Sequence, residues 1–416
     1  MHPLSPSTER ESRCGRDASL VPVEVKERGG TMQCMGLVRW HKGSIGFAIL
    51  ALALGTVVAP VVAHATSPRV SGANEFDEPT GLAIGGGHLW VTNEAGDSVT
   101  EINPSNGAWI ATIARAKGYR FNRPVAITRN GANLFIANAG DSVTEITASS
   151  GQLVRVISGA RFHFANPDAV TSSGNTILVL STGSSNAPSG SITEFSARTG
   201  AFLRTVSGAK FAFVNPQAFT VSGSNVFVAD EGNASVTEVK VANGGLVRVI
   251  AGQGLDAPDG IAVSSGNVWV ADSASNAATD INATTGAVIA TYSDSDGDYG
   301  FGQPSAVIAA QGNVYVMTPY STSPMVTKVD AIKGTPYWYM CNTNGPYYFS
   351  DLSAFAVSGD DLWVASRTGD NSQTPGAKTG ALTEMTIADG SLIATYPSPN
   401  ATSTTTTVPT TTTSAP

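Results

Sequence analysis

The densest chemistry in this chain is Asp294-Ser295-Asp296-Gly297-Asp298, with three carboxylates at alternating positions around a glycine. Alternation of this kind can aim oxygens at one centre, so Asp294, Asp296 and Asp298 form a candidate Ca2+ loop, although the terminal bidentate glutamate of an EF-hand is missing. A second polar set is dispersed. Glu78, Arg123, Asn166, Asn215 and Asp351 stand directly before Pro79, Pro124, Pro167, Pro216 and Leu352, while Asp168, Gln217 and Asp259 directly follow Pro167, Pro216 and Pro258. Oxygen-bearing residues brought together at such matching places would suit either a ring for a hard cation or a mixed polar surface for a ligand or protein partner. Arg123 and Ala257 at two of these places favour the mixed surface, because an arginine near the centre opposes a cation. Other catalytic signals are absent: no HxH or HExxH spacing, no GxSxG elbow and no glycine-rich phosphate loop opening a helix.

What must position these residues is a repeat. PTGLAIGGGHLWVTNEAGDSVTEI from Pro79 is followed by PVAITRNGANLFIANAGDSVTEI from Pro124, and further copies start at Pro167, Pro216, Pro258, Pro304 and Leu352. Successive starts are 45, 43, 49, 42, 46 and 48 residues apart, the period of a β-propeller blade. The fifth copy shows the plan, with strand-like runs at 260–263, 267–271, 278–281 and 287–292 separated by Ser264-Ser265-Gly266 and Ala283-Thr284-Thr285-Gly286. Glycine supplies the positive φ of hairpin turns and β-branched residues fill the runs. No copy has the 3.6-residue period of an amphipathic helix. These features predict an all-β fold, a single seven-bladed β-propeller over residues 66–397 with four antiparallel strands per blade.

Positions that recur in every copy are expected to be structural. Trp90, Phe135, Leu178, Phe227, Trp269, Tyr315 and Trp363 fall at one mid-strand place between aliphatic neighbours, which is what packing between blades requires. Phe121, Phe162, Phe164, Phe211, Phe213, Phe301, Tyr348 and Phe349 precede the first strands and are expected to seal the crossovers between blades. Asn93, Asn138, Asp230 and Asp272 end second strands, where short polar side chains close Asx-turns on the backbone. Glu101, Glu145, Glu194, Glu238 and Glu384, with Asp280 and Lys328 in the other two copies, are expected at a solvated or salt-bridged strand position.

The termini differ from the repeats. Arg39 and Lys42 precede an uncharged apolar run, Ser44–Ala63, which ends in Ala63-His64-Ala65. A basic start, an apolar run and a small-x-small end predict a secretory signal cut after Ala65, with Met35 an alternative start to Met1 and a membrane anchor the rival reading. Residues 398–416 are almost wholly Thr, Ser, Pro and Val, a composition that cannot bury enough apolar surface to order itself. This tail could space the propeller from a cell wall, and its Thr-rich composition is compatible with glycosylation. Beyond residue 65 the only cysteine is Cys341, so no internal disulfide forms there. Residues 1–65 hold seven of the 24 basic and five of the 32 acidic residues, leaving 17 against 27. A chain this acidic, with no basic cluster, is a poor nucleic-acid partner.

The strings LWVTNEAGDSVTEINPSNG, LFIANAGDSVTEITASSG and VFVADEGNASVTEVKVANG resemble YVTN-type and NHL-type propeller repeats of secreted bacterial proteins. That resemblance implies a binding platform for a protein or polar ligand, without a required cofactor. It leaves a metal-dependent hydrolase or lyase as the alternative. Gluconolactonase-like propellers hold a divalent cation with carboxylates and an Asn on the axis, and Glu78, Asn166, Asp168, Asn215, Gln217, Asp259 and Asp351 would be its counterparts here. Lyase relatives would use a histidine at the mouth, whereas His88 and His163 lie in the first hairpin turn and a crossover. The third and sixth copies depart from the pattern at Leu180-Ser181-Thr182 and Met317-Thr318-Pro319. If the signal is cleaved, mass analysis of the secreted product should find an N-terminus at or near Thr66; retention of residues 35–65 in a membrane fraction would establish the anchor instead.

Overall fold

The structure is a computed structural model that describes residues 76–115, 118–183, 189–293, 299–319, 324–341, 349–367 and 380–397. These residues form seven four-stranded antiparallel sheets, each built from four consecutive strands. In the first blade they are β1 (Pro79–Gly85), β2 (His88–Asn93), β3 (Ser98–Ile102) and β4 (Trp109–Ala114). The first strands of successive blades pack against one another around the whole ring, including the seventh against the first. This is the seven-bladed propeller that the period predicts. The sixth copy differs slightly: its first strand spans Ala306–Ala310, because Pro304 and Ser305 precede the ladder.

Each sheet buries both faces against its neighbours, and the bulky mid-strand residues fill those seams. Trp90, Trp269, Trp363 and Tyr315 are fully buried, as are Phe135, Leu178 and Phe227. The Trp90 indole donates to the Gly85 and Ala148 carbonyls at 3.2 and 3.1 Å, joining the first two blades through a polar contact inside an apolar seam. The crossover aromatics cover the same seams, with Phe121, Phe162, Phe211, Phe301 and Phe349 buried. A third-strand threonine anchors several crossovers: Thr144, Thr193, Thr237 and Thr327 donate to the carbonyls of Tyr119, Phe162, Phe211 and Tyr299 at 2.9, 2.7, 3.1 and 2.7 Å.

The acidic position beside that threonine is not solvated. Glu145 and Glu238 are 0 % exposed, and Glu101, Glu194, Asp280 and Glu384 are also buried. The reason is register, since each faces the bulky second-strand residue across the ladder, as in Phe135↔Glu145 and Trp269↔Asp280. Burial requires partners. Arg155, Arg204 and Arg248, directly opposite on the fourth strands, pair with Glu145, Glu194 and Glu238 at 2.6, 3.0 and 2.6 Å. The same arginines donate to the Arg198, Ala242 and Thr284 carbonyls of the following blade. His88 serves Glu101, Asn267 serves Asp280 and Tyr396 serves Glu384. In the sixth blade Lys328 reverses the charge and donates to the Ile387 and Ala388 carbonyls of the seventh at 2.8 and 3.0 Å.

Closure uses no exchanged strand among the described residues. Ser353 Oγ donates to the Pro79 carbonyl at 2.5 Å and Gly380 N–H to the Phe76 carbonyl at 2.6 Å. Phe76 is buried in a cluster with Leu82, Trp363 and Leu382, against Trp109 and Tyr396. The echo of Arg69-Val70-Ser71-Gly72 in Thr205-Val206-Ser207-Gly208 predicts that residues 69–72 clasp the seventh blade; they lie outside the described residues, as do Tyr348 and residues 398–416. Phe76→Ala should cost about 3–5 kcal/mol in chemical denaturation, with hydrogen exchange rising first along Pro79–Gly85 and Leu352–Ser358. A loss below about 1 kcal/mol would show that Phe76 does not hold the seam.

Candidate functional site

One end of the ring collects the polar residues singled out in the sequence, and a repeated local device puts them there. In five blades the residue before the first-strand proline or leucine has a left-handed backbone: Glu78 (φ 54°), Arg123 (53°), Asn166 (55°), Asn215 (54°) and Asp351 (50°). Gln303, before Pro304, has φ 56°. Asn and Asp tolerate this region better than most residues. The carbonyl of the same residue accepts the N–H that follows the second strand, as in Glu94 to Glu78 at 2.9 Å, Ala139 to Arg123 at 2.9 Å and Arg367 to Asp351 at 3.0 Å.

The ladder then slips. Pro79 pairs with Asn93 but Gly81 with Thr92, and the same irregularity falls at Pro124/Ala126, Pro216/Ala218, Pro258/Gly260 and Leu352/Ala354. The third blade shows it where Leu180 and Ser181 meet Ala169 and Pro167. A bulge leaves one residue unpaired and re-aims its side chain. The residues so released are Thr80, Val125, Asp168, Gln217, Asp259 and Ser353, one in each of six blades.

Their partners divide the ring. Thr80 and Ser353 donate to the Pro124 and Pro79 carbonyls of the adjoining blades and so stitch the scaffold. Gln217 Nε2 and Asn215 Nδ2 both donate to Glu231 Oε2, at 2.5 and 2.7 Å. Asn166 Nδ2 donates to Thr182 Oγ1 at 2.7 Å, and Arg123 pairs with Glu94 at 2.6 Å. A cavity of about 620 Å3 opens between blades four and seven, lined by polar groups of Gln217, Glu231, Asp259, Ser273, Ser353 and Arg367. Of the residues read from the sequence, Gln217 and Asp259 line this cavity and Asn215 holds its Glu231. Glu78, Arg123, Asn166, Asp168 and Asp351 occupy equivalent places in the other blades or beside the cavity without lining it.

Burial shapes the electrostatics. Asp168 is pushed up to about 6, first by desolvation and then by Glu94, while Arg367 and Arg123 oppose the shift. Desolvation likewise lifts Asp259 to about 6, against a hydrogen bond from Ser273 and with support from Glu231 and Asp272. The strand-end residues act differently from a local turn closure alone. Asp230 accepts the Val214 N–H at 3.0 and 2.9 Å, and Asp272 accepts the Asp256, Ala257 and Ser275 N–H groups at 2.7, 3.0 and 3.1 Å. These carboxylates therefore fasten the incoming crossover as well as the turn that follows. Burial raises Asp230 to about 7.

Sequence reasoning missed Glu231, Ser273 and Arg367, which immediately follow the second strands. The signal was available, because this place is not uniform from copy to copy: the series runs Glu94, Ala139, Thr182, Glu231, Ser273, Pro319, Arg367. Among the described residues no three His, Cys, Asp or Glu side chains gather as a metal site. His88 pairs with Glu101 in the first hairpin and His163 packs near Phe202. Asp294, Asp296 and Asp298 lie outside the described residues, and among those described no helix is long and apolar enough to cross a membrane.

No protein-family profile matches the chain, and no curated protein matches it in sequence. Solved structures do. A streptogramin B lyase structure aligns with a TM-score of 0.56 at 15% identity, over 71% of this chain and 92% of that one. The virginiamycin B lyase from Staphylococcus aureus gives 0.55 at 13%, over 70% and 92%. The computationally designed Ika8 protein gives 0.55 at 14%, over 78% and 88%. At these identities the likeness is one of fold.

A carboxyl raised on folding stabilises the native state while protonated, and that contribution is lost as pH rises through its folded value. Asp168→Asn and Asp259→Asn should therefore raise the melting temperature above pH 7 and leave it unchanged near pH 4, as read by calorimetry across pH. Equal shifts at both pH values would remove these two carboxyls as the source.

Proposed function

We propose that the chain is an exported binding module that holds a small polar ligand in the mouth cavity between blades four and seven. The observation that carries this reading is the lining itself: bulges release Gln217 and Asp259 from the ladder, and the residues that follow the second strands add Glu231, Ser273 and Arg367 to the same cavity of about 620 Å3. Small-molecule sites commonly enclose about 300–1,000 Å3 with a few convergent polar groups. The scaffold does not need these particular side chains, since the equivalent places elsewhere carry Val125, Ala139 and Pro319. Export through the segment ending at Ala65, membership of the YVTN/NHL-type repeats and a wall-spacing role for residues 398–416 belong to the same reading.

A second reading, a metal-dependent hydrolase or lyase at the mouth, rests on Asp259 and on the fold it shares with two lyases. Asp259 is lifted to about 6, in the range where a carboxyl can exchange protons near neutral pH. Two of the solved propellers of similar fold are lyases. The binding reading is preferred because neither His88 nor His163 lines the cavity.

Ser305 lines the cavity, and its backbone N–H is already used by the Met317 carbonyl. In a thermal-shift screen of polar metabolites, a ligand should raise the melting temperature of the unaltered protein, fail to do so for Ser305→Trp, and be recovered unchanged by mass spectrometry. Consumption of that ligand would favour the enzyme reading, and stabilisation persisting in Ser305→Trp would place the site elsewhere.

A further inference from the structure

Charge is unevenly placed around this cavity. Glu231 and Asp259 belong to blades four and five, and Arg367 to blade seven. Asn215 and Gln217 converge on one oxygen of Glu231, which fixes the carboxylate and leaves its second oxygen for a ligand. Arg367 acts on Asp168 through space, but among the described residues no carboxylate lies within ion-pair distance of it, whereas Arg155 and Glu145 close at 2.6 Å. A neutral ligand would desolvate all three charged groups without compensating them. An anion would meet two carboxylates, and a simple cation would meet the guanidinium. A molecule carrying both charges satisfies each end.

We propose that the mouth cavity takes a zwitterionic amino compound of amino-acid to dipeptide size, its ammonium against Glu231 and Asp259 and its carboxylate on Arg367. This rests on the binding reading above and names its ligand class. The planar guanidinium suits a carboxylate because two parallel N–H groups meet its two oxygens. Gln217 and Ser273 add neutral polar groups to the same lining. Proton linkage follows. The groups acting on Asp259 are Ser273, which lowers its affinity for a proton, and Glu231 and Asp272, which raise it, so an ammonium docked beside it adds an opposing charge and displaces the proton held near pH 6.

The test is calorimetric titration of the full chain with L-alanyl-L-alanine, its N-acetyl and carboxamide forms, L-alanine, and trehalose as a neutral probe of similar polarity. The free dipeptide should bind, and each blocked form should bind about tenfold more weakly, as expected for loss of one charge-assisted contact. Arg367→Gln should abolish discrimination against the carboxamide alone, and Glu231→Gln discrimination against the N-acetyl form alone. At pH 6, titrations in buffers of different ionisation enthalpy should show proton release, absent in Asp259→Asn. Melting curves of the three variants show whether each remains folded, and the blocked ligands provide the same comparison without any substitution. Binding of trehalose without the dipeptide would overturn the ligand class while leaving the cavity as a binding site. Equal affinity for free and blocked dipeptide, or no binding of any zwitterion, would overturn the class as well, and the metabolite screen with Ser305→Trp then decides separately whether the cavity binds at all.

Discussion

Everything in this molecule depends on sealing both faces of a four-stranded sheet. One such sheet cannot hide its apolar residues by itself, so each blade needs a neighbour on either side, and the requirement ends only when the ring closes. The bulky second-strand residue meets this demand seven times, as Trp90, Phe135, Leu178, Phe227, Trp269, Tyr315 and Trp363. In four blades a strand-three threonine ties the crossover with its buried aromatic to the same seam. Because the seams are equivalent, the ring is insensitive to what its mouth residues are, and those places are free to vary.

Polar groups inside the seams show how strongly register constrains chemistry. Glu145, Glu194 and Glu238 face the bulky residues across the ladder and are therefore buried, yet an unpaired buried carboxylate would cost several kcal/mol. The opposing arginines on the fourth strands answer that cost and reach the next blade's carbonyls, so one residue serves both the sheet and the ring. Where the arginine is absent, His88, Asn267 and Tyr396 take the role. This is architecture, and its regularity is what separates it from the mouth.

At the mouth regularity ends. The same bulge releases one side chain per blade in six blades, but the side chains differ, and the arc from blade four to blade seven gathers some of them around an open volume. Thr80 is absorbed in stitching neighbouring blades, Ser353 does the same from the cavity wall, and Arg123 is paired with Glu94. Gln217, Glu231, Asp259 and Arg367 instead border the cavity, and burial there raises Asp259 to about 6. A device that is structurally uniform thus yields a chemically one-sided site.

The period, the turn glycines and the bulky mid-strand residue were enough to establish seven blades of four strands, because hydrophobic alternation and turn chemistry are local properties written out in each copy. The sequence also located the right level of the scaffold, since Gln217 and Asp259 stand beside prolines that recur at one place in the repeat. It could not show that the third-strand glutamates are buried, because that follows from pairing with second-strand residues farther along the chain, as in Phe135↔Glu145, Leu178↔Glu194 and Trp363↔Glu384. Nor could it reveal Glu231 and Arg367 as neighbours of one cavity. They are separated by more than a hundred residues and meet only because closure brings blades four and seven around a common axis, a consequence of ring geometry that no single repeat contains.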